Sequence, residues 1–247
     1  MVNKPYVKKF CEIANFTVWI VDGYYIRKNV DEEFTNYGQH KRFGFIPKNE
    51  LWIDKARKLG EEKFYIDSML IMHRLIVEGI SHNKAIKIAD KIEKRERAKT
   101  KLMQQELEIK DDNKKLLDSI HEKLLKCYSK NGLKAWIVKG EVVRDLFFLD
   151  FVEGGHGYVY PFIPKDEVWI DDNVEPKEIK YVLLHELHER NLMAKGWCYD
   201  VDTASNLKTG TIKKGAHPDS SRIEYYCRFH PKETAKKIAI EIRRNKV

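Results

Sequence analysis

One pattern of hydrophobic and polar positions occurs twice along the chain of 247 residues, and the second copy lies 117 positions after the first. The run VWIV at residues 18–21 has its counterpart in AWIV, and the run ELWID at residues 50–54 has its counterpart in EVWID. Beyond Gly79 the match continues at a spacing of 131 positions, which places 14 additional residues in the second copy, at about 200–214. Self-similarity at a fixed spacing predicts two similar structural units.

The hydrophobic periodicity predicts the same order of elements in each copy. A helix opens the copy, two β-rich runs about Asp22-Gly23 or Lys139-Gly140 form a hairpin, and ELWID or EVWID adds a third strand. A pair of helices follows. The predicted helices cover residues 7–14, 61–78 and 83–101 in the first copy and 113–128, 177–195 and 219–228 in the second. The expected fold class is α+β, a tandem repeat of two units that each combine a helix, a small antiparallel sheet and a helix pair.

The same pattern predicts four segments. The first repeat covers residues 1–98 and lacks the metal-site residues of the second. A charged helical connector follows at residues 99–112, and the second repeat, with the candidate metal site, covers residues 113–230. Residues 231–247 are predicted to form a basic C-terminal helix.

The segment richest in chemistry is the run YVLLHELHERNLM at residues 181–193. In a helix, which turns about 100° per residue, Glu189 lies about 40° and Glu186 about 100° from His185. Apolar side chains share this side, so we expect the three ionisable groups to be buried. Burial costs such groups on the order of several kcal/mol unless they are paired, hydrogen-bonded or bound to metal. The alternatives are a metal site, a buried ion-pair network with Arg190 or a lysine, and metal-free acid–base chemistry.

The next predicted helix offers His217 and Glu224, which are seven residues apart and therefore lie within about 20° of one another. Pro218 is compatible with His217 as the helix cap. Two facing helices would present His185, Glu189, His217 and Glu224 to one cation. Imidazole and carboxylate ligands together suit zinc, with iron and manganese as alternatives, so we predict one divalent transition metal per chain.

The spacing His185-Glu186-x-x-Glu189 resembles the HExxH helix of zinc metallopeptidases, with Glu189 in the place of the second histidine. The resemblance implies that His185 and Glu189 are metal ligands and that Glu186 is the catalytic base that activates water. The carboxylate at position 189 departs from the motif and should weaken that activation. The runs GHGY, PFIPKDEVWIDD and HELHERNLM also resemble prokaryotic and phage proteins with a HELHER-like helix. That resemblance covers most of residues 136–228 and implies no activity.

Two residues of the run GGHGY, His156 and Tyr158, are candidate substrate-binding residues, because the neighbouring glycines allow close backbone approach. The alternatives are a tight turn and an additional metal-binding histidine. His73 stands on a helix of the first copy without the adjacent His-Glu pair, and it is interpreted as an ordinary, partly buried histidine.

Composition adds limits to this picture. Hydrophobic residues make up 43% and charged residues 34% of the chain, which indicates a packed core under a charged surface. There is no apolar run of about 18 residues and no signal peptide, so we expect a cytoplasmic protein without a membrane partner. The four cysteines form no CxxC pair and are expected to be free thiols. The net charge is +8, and the basic C-terminal helix makes a nucleic-acid partner an alternative.

These features favour a metal-dependent hydrolase, peptidase-like, with one site in the second repeat and a peptide or protein substrate. The alternative is a nucleic-acid- or protein-binding module with a structural metal or a buried ion-pair network. The oligomeric state is left open by the sequence.

Overall fold

The computed structural model describes residues 5–100, 113–200 and 215–245, and these residues form an α+β protein. Eight helices and two four-stranded sheets occur in these ranges. The chain divides into two compact units. Unit 1 comprises residues 1–117 and 141–152, and unit 2 comprises residues 118–140 and 153–247.

Unit 1 has a mixed sheet in the strand order β1-β2-β4-β3. Its central strands β2 and β4 run parallel, and β1 and β3 flank them in antiparallel fashion. The helices α2 and α3 follow β4 and pack against each other. The elements are β1 (Tyr6–Ile13), β2 (Phe16–Val21), α1 (Gly23–Asn29), β3 (Tyr37–Gln39), β4 (Glu50–Asp54), α2 (Glu62–Val77) and α3 (His82–Arg97).

The predicted opening helix and the predicted hairpin of unit 1 are both wrong. Residues 6–13 form a strand, because they pair along their length with β2. The run after Asp22 is helix α1, since the Asp22 side chain accepts a hydrogen bond from the backbone N–H of Tyr25 and caps the helix. Two parallel strands cannot be joined by a tight turn, so the chain between β2 and β4 forms a crossover that contains α1 and β3.

The glycine after β2 is required by close packing. A Cβ atom on Gly23 would lie 1.8 Å from the carboxylate of Asp54, and one on Gly140 would lie 2.3 Å from that of Asp171. Both glycines begin a helix, and both aspartates end the parallel partner strand. The Asp-Gly and Lys-Gly pairs therefore mark helix starts that pack against a carboxylate, not hairpin turns.

Unit 2 contains the second mixed sheet, in the strand order β5-β6-β8-β7. Trp136 pairs with Trp169 across its parallel strands, as Trp19 pairs with Trp52 in unit 1. Its strands are β5 (His121–Leu124), β6 (Lys134–Val138), β7 (Gly154–His156) and β8 (Glu167–Asp171), and its helices are α6 (Ile179–Met193), α7 (Ala216–Phe229) and α8 (Thr234–Arg244). Two further helices, α4 (Asn113–Ile120) and α5 (Gly140–Leu146), span the unit boundaries, and most of their residues belong to unit 1. Matching strand orders and registers are consistent with two similar units.

The helix pairs and the EVWID strand lie close to their predicted positions, whereas three details differ. Each sheet has four strands in a mixed arrangement, where a three-stranded antiparallel sheet was expected. The second opening helix ends at Ile120, and strand β5 follows it at once. Most of the predicted connector, 101–112, and of the additional segment, 201–214, lies outside the described residues.

The core of unit 2 lies between the sheet and α6. Val168 and Ile170 on β8 pack against Leu183, Leu184 and Leu187 on α6, and all five side chains are fully buried. Helices α7 and α8 both pack against α6. Because α6 is enclosed on several sides, the polar side chains that it carries lie inside the protein. No helix of the described residues is long and apolar enough to cross a membrane.

Candidate metal centre

Helix α6 carries its ionisable residues into a largely buried environment. His185, Glu186 and Glu189 expose 8%, 9% and 2% of their surface. The first turn of α7 brings His217 to the same place, one residue after the helix begins at Ala216. Gly215 is the capping residue, so His217 is helical and does not cap the helix.

Three potential ligand atoms converge at this point. His217 Nδ1 lies 3.0 Å from Glu189 Oε2 and 3.1 Å from His185 Nε2, and the last two atoms are 3.4 Å apart. A tetrahedral zinc ion with bonds of about 2.0–2.1 Å separates its ligands by about 3.3–3.4 Å. The three atoms therefore have the mutual spacing of one face of a coordination tetrahedron. The residues present fit a transition-metal site with two imidazoles and one carboxylate.

Glu224 lies on the other side of the His185 ring. Its Oε2 atom is 2.9 Å from His185 Nδ1, and its Oε1 atom accepts hydrogen bonds from Arg228 at 2.7 and 3.1 Å. The Nδ1–H group of His185 therefore donates to Glu224, which directs the lone pair of Nε2 towards His217 and Glu189. A carboxylate behind a metal-binding histidine fixes the tautomer and orientation of the ring in this way.

His156 lies beneath Glu189 and is fully buried. Its Nδ1 atom accepts the backbone N–H of Tyr158 at 3.3 Å, so Nε2 carries the proton and donates to Glu189 Oε1 at 3.0 Å. Burial lowers the pKa of His156, which agrees with a neutral ring. Its ligand atoms group with those of Glu186 and Glu189, but this tautomer makes His156 a hydrogen-bond donor. Tyr158 itself is 45% exposed.

Glu186 differs from the other carboxylates of the cluster. It forms no hydrogen bond or ion pair with any residue in the described ranges, although ligand atoms of Glu189 and His156 lie within 4.8 Å. Burial raises its pKa to about 8, and the charge of Glu189 adds to this effect. Gly154 makes room for its methylene groups, because a Cβ atom there would lie 3.1 Å from Glu186 Cγ.

The remaining pKa shifts follow from the same contacts. Burial opposes the charge of His185, but hydrogen bonds to Glu189 and Glu224 raise its pKa well above the usual value. Burial likewise opposes the charge of Glu189, but three histidine contacts lower its pKa. The pKa of Glu224 is lowered to about 2, since His185 and Arg228 outweigh burial. The cluster therefore holds either a proton on His185 or a cation in its place.

The ion-pair alternative named Arg190 or a lysine, and it can be judged from the contacts of Arg190. Arg190 donates to the side chain of Asn245 and, at 2.5 Å, to the carbonyl oxygen of Lys165. It forms no ion pair with a carboxylate in the described part of the chain. The guanidinium that does pair with the cluster is that of Arg228, which contacts Glu224. No lysine or arginine of the described ranges pairs with Glu186 or Glu189. Within these ranges the groups beside Glu189 that can carry positive charge are His156, His185 and His217.

Sequence reasoning missed several supporting residues. His188 lies between Glu241 Oε1 at 3.1 Å and Asp219 Oδ2 at 3.2 Å, and so links α6 to both neighbouring helices. The Tyr199 ring stacks on that of His217, with centroids 4.8 Å apart. No sequence spacing signals these contacts, because they depend on how three helices and a loop pack.

A further missed feature had a signal in the sequence. Arg228 also donates to Glu178 at 2.6 Å, and so joins the start of α6 to α7. The shifts of 117 and 131 positions place Glu178 opposite Glu61, and Arg228 opposite Arg97. Two charged residues that recur at the shifts of the repeat indicate a shared structural ion pair.

Comparisons with protein-family models, with curated proteins and with solved structures found no match to this chain.

Proposed function

We propose that unit 2 is a metal-dependent hydrolase, peptidase-like, in which His185, Glu189 and His217 hold one divalent transition metal. The observation that carries the proposal is the 3.0–3.4 Å spacing of the three ligand atoms. Three protein ligands leave a coordination position open, as in catalytic zinc sites, whereas structural sites are closed by four.

The donor set also bears on the choice of metal. Glu189 replaces the second histidine of an HExxH helix, but His217 on α7 supplies the missing imidazole. Two histidines and one glutamate also hold zinc in known catalytic sites. There the helix supplies both histidines, whereas here it supplies one histidine and the glutamate, and the second histidine comes from α7. Zinc is thus the proposed metal, and iron and manganese are the alternatives. When bound, such a metal supplies Lewis-acid polarisation of a carbonyl group and makes water more acidic.

Glu186, Glu224 and His156 have the remaining proposed roles. Glu186 is the proposed general base, because its carboxylate has no hydrogen-bond or ion-pair partner in the described ranges and lies beside the ligand cluster. Glu224 and His156 are positioning residues: the first holds His185 by its Nδ1–H group, and the second holds Glu189 by Oε1. In this assignment Glu224 stabilises a ligand without being one, and His156 has no contact with substrate.

Glu186→Gln tests this assignment. Because glutamine cannot accept a proton at neutral pH, we expect metal-dependent cleavage of a broad peptide library to fall by about 10²–10⁴-fold. The variant should still bind one equivalent of metal. The matched control is Glu122→Gln, which removes an exposed carboxylate of unit 2 on β5 and should change neither quantity.

The outcomes separate the parts of the proposal. Loss of metal from Glu186→Gln would make Glu186 a ligand and favour a carboxylate-rich iron or manganese site. Cleavage of the peptide library by Glu186→Gln at the wild-type rate would show that Glu186 is not the base. A wild-type protein that binds metal but cleaves no member of the library would refute the peptidase activity and leave the metal site.

A further inference from the structure

Helix α7 presents a row of aromatic side chains to solvent. Tyr225, Tyr226 and Phe229 expose 41%, 40% and 49% of their surface. Their spacing places the three rings within about 100° of one another around the helix, and the exposed side chain of Arg222 lies in the same sector. His217 lies on the opposite side of the helix, so this outer face of α7 points away from the metal cluster.

The exposed hydrophobic side chains of the two units differ in kind. Among the described residues of unit 2, the large hydrophobic side chains with high exposure are all aromatic, and Tyr158 and Tyr199 join the three on α7. In unit 1 they are mostly aliphatic, and Leu59 and Val77 are the most exposed. Because aromatic rings pack well against other flat rings, the outer face of α7 suits a partner that has ring systems of its own.

Contacts with neighbouring side chains hold the rings on α7 in place. Tyr225 and Phe229 form an edge-to-face pair with centroids 5.0 Å apart. Tyr226 stacks on His230 with centroids 4.1 Å apart, and its hydroxyl group donates to Glu233 at 2.8 Å, directly before α8. A ligand that stacks on rings already ordered in this way causes little further loss of side-chain entropy.

Positive charge adjoins the aromatic face. The ammonium group of Lys237 lies 5.0 Å from the centroid of the Tyr226 ring, which places the start of α8 beside α7. Lys232 and Lys236 are exposed, and neither forms an ion pair among the described residues. Residues 215–245 contain seven lysines and arginines against four acidic residues. The surface is therefore complementary to an anionic partner.

The charge argues against a second copy of this chain as the partner. A two-fold interface brings the same patch of both copies together, so Arg222, Lys232 and Lys236 would meet their own equivalents. Like charges placed against each other at an interface repel. A phosphate backbone would instead neutralise the three cations, and the bases attached to it would supply flat rings for the aromatic face.

We propose that the outer face of α7 and the adjoining start of α8 bind single-stranded nucleic acid. Bases stack on Tyr225 and Phe229, and phosphates contact Arg222, Lys232 and Lys236. A single strand is proposed because its base faces are accessible, whereas a duplex keeps them stacked on one another. This surface lies on the side of α7 opposite the metal ligands, so the binding is independent of the proposed hydrolase.

Fluorescence anisotropy with a labelled oligothymidylate of about 15 nucleotides tests the proposal on the full chain. We expect saturable binding that weakens steeply as salt is added. An abasic oligonucleotide of the same length and charge should bind at least about tenfold more weakly, because it has no bases to stack.

Two double variants separate stacking from charge. Tyr225→Ala, Phe229→Ala should lose at least about tenfold in affinity for the oligothymidylate and bind the abasic oligonucleotide as the wild type does. Unchanged binding of the abasic oligonucleotide also shows that this variant is folded. Lys232→Gln, Lys236→Gln should weaken binding of both oligonucleotides and make the logarithmic salt dependence shallower by about one to two units.

Controls and contrary outcomes complete the design. Phe10→Ala removes an exposed ring of unit 1, and His185→Ala alters the metal cluster; both should bind the oligothymidylate as the wild type does. The proposal is overturned by equal affinity for the abasic oligonucleotide, by full affinity in Tyr225→Ala, Phe229→Ala, by loss of binding in either control, or by the absence of saturable binding. It is also overturned if sedimentation equilibrium shows a dimer that Tyr225→Ala, Phe229→Ala dissociates, because a second copy would then occupy this face.

Discussion

The two units hold the same arginine–glutamate bridge but differ in the side chains next to it. In unit 1 Arg97 contacts Glu61 and Glu93, both at 2.9 Å. In unit 2 Arg228 contacts Glu178 at 2.6 Å and Glu224 at 2.7 Å. Each bridge ties the start of one helix of the pair to the C-terminal end of the other. The bridge is satisfied by the protein alone, so its presence in both units indicates a structural role.

Beside the bridge, the two units diverge. Unit 2 has the polar residues Glu186, Glu189 and His217, whereas unit 1 has Met69 and Met72 and, opposite His217, Ile86. The same buried ion pairs thus lie beside a cluster of histidines and acids in unit 2 and beside methionine and isoleucine side chains in unit 1. Because unit 1 forms the same helix pair without these residues, the pair itself does not require the histidines and acids of unit 2. This difference supports the proposal that the polar residues of unit 2 hold a metal ion.

The largest expected effect comes from giving unit 2 the residues of unit 1. The variant His185→Ser, Glu186→Met, Glu189→Met, His217→Ile should fold and bind no metal. In chelator it should melt no lower than the metal-free wild type, because it removes Glu186, a buried carboxylate with no hydrogen-bond or ion-pair partner among the described residues. Thermal melts of both proteins in chelator measure this. In this variant His156 loses Glu189, which accepts its hydrogen bond. A second variant that also carries His156→Gln controls for that loss. A melting point well below that of the metal-free wild type in both variants would favour the ion-pair network over the metal site.

Substitutions of Arg97 and Arg228 should affect protein stability alike but metal binding differently. Arg97→Met removes the guanidinium that pairs with Glu93, with Asp145 and, together with Arg144, with Glu61. Arg228→Met removes the guanidinium that pairs with Glu178 and Glu224. Each variant should therefore lower the free energy of unfolding by about 3–5 kcal/mol. Only Arg228→Met should also weaken metal binding, because Glu224, which pairs with Arg228, contacts His185. Glu61, Glu93 and Asp145, which pair with Arg97, lie in unit 1. Urea unfolding and a competition titration against a chelating dye measure the two effects. Equal loss of metal affinity in both variants would contradict the separation.

Glu186 should make the metal-free protein sensitive to pH. Its pKa is about 8 in the folded protein, against an ordinary value of 4.5. The folded state therefore retains a proton that the unfolded state releases, and stability falls as pH rises from about 4.5 to about 8. Glu186→Gln should remove this loss and gain about 2–4 kcal/mol at pH 8, with little gain at pH 4. Urea unfolding in chelator at both pH values measures it, and Met69→Leu, at the equivalent position of unit 1, is the control. A gain that is equal at both pH values would refute the titration.

The smallest effect concerns the orientation of a ligand. Glu224→Gln should reduce metal affinity by about 10–100-fold, since it weakens the hydrogen bond that fixes the tautomer of His185. Glu93→Gln, the matched change in unit 1, should leave metal affinity unchanged. Competition with the chelating dye compares the two. Complete loss of metal in Glu224→Gln would instead return Glu224 to the role of a ligand.

Periodicity predicted the parts of the fold that depend on local pattern. Helices α2 and α6 and the strands ELWID and EVWID lie close to their predicted positions. The crossover helix α1 was missed, since its start depends on the contact of Gly23 with Asp54, which is distant in sequence. Strand β1 was missed because pairing with β2 determined its conformation. Helix spacing suggested that His185, Glu189 and His217 share one location, where the structure brings them together. Helix spacing could not show which ring nitrogen of His185 contacts Glu224, because that contact depends on how the two helices are oriented in the folded protein.

The most direct test of the central claim is the metal content of protein purified without a metal-affinity tag. Elemental analysis should find one transition-metal equivalent per chain in the wild type and none in His185→Ala or His217→Ala. His73→Ala, which removes a partly buried histidine of unit 1, should keep one equivalent. Two equivalents in the wild type, or one equivalent retained by His185→Ala, would contradict the assignment of the metal to these ligands.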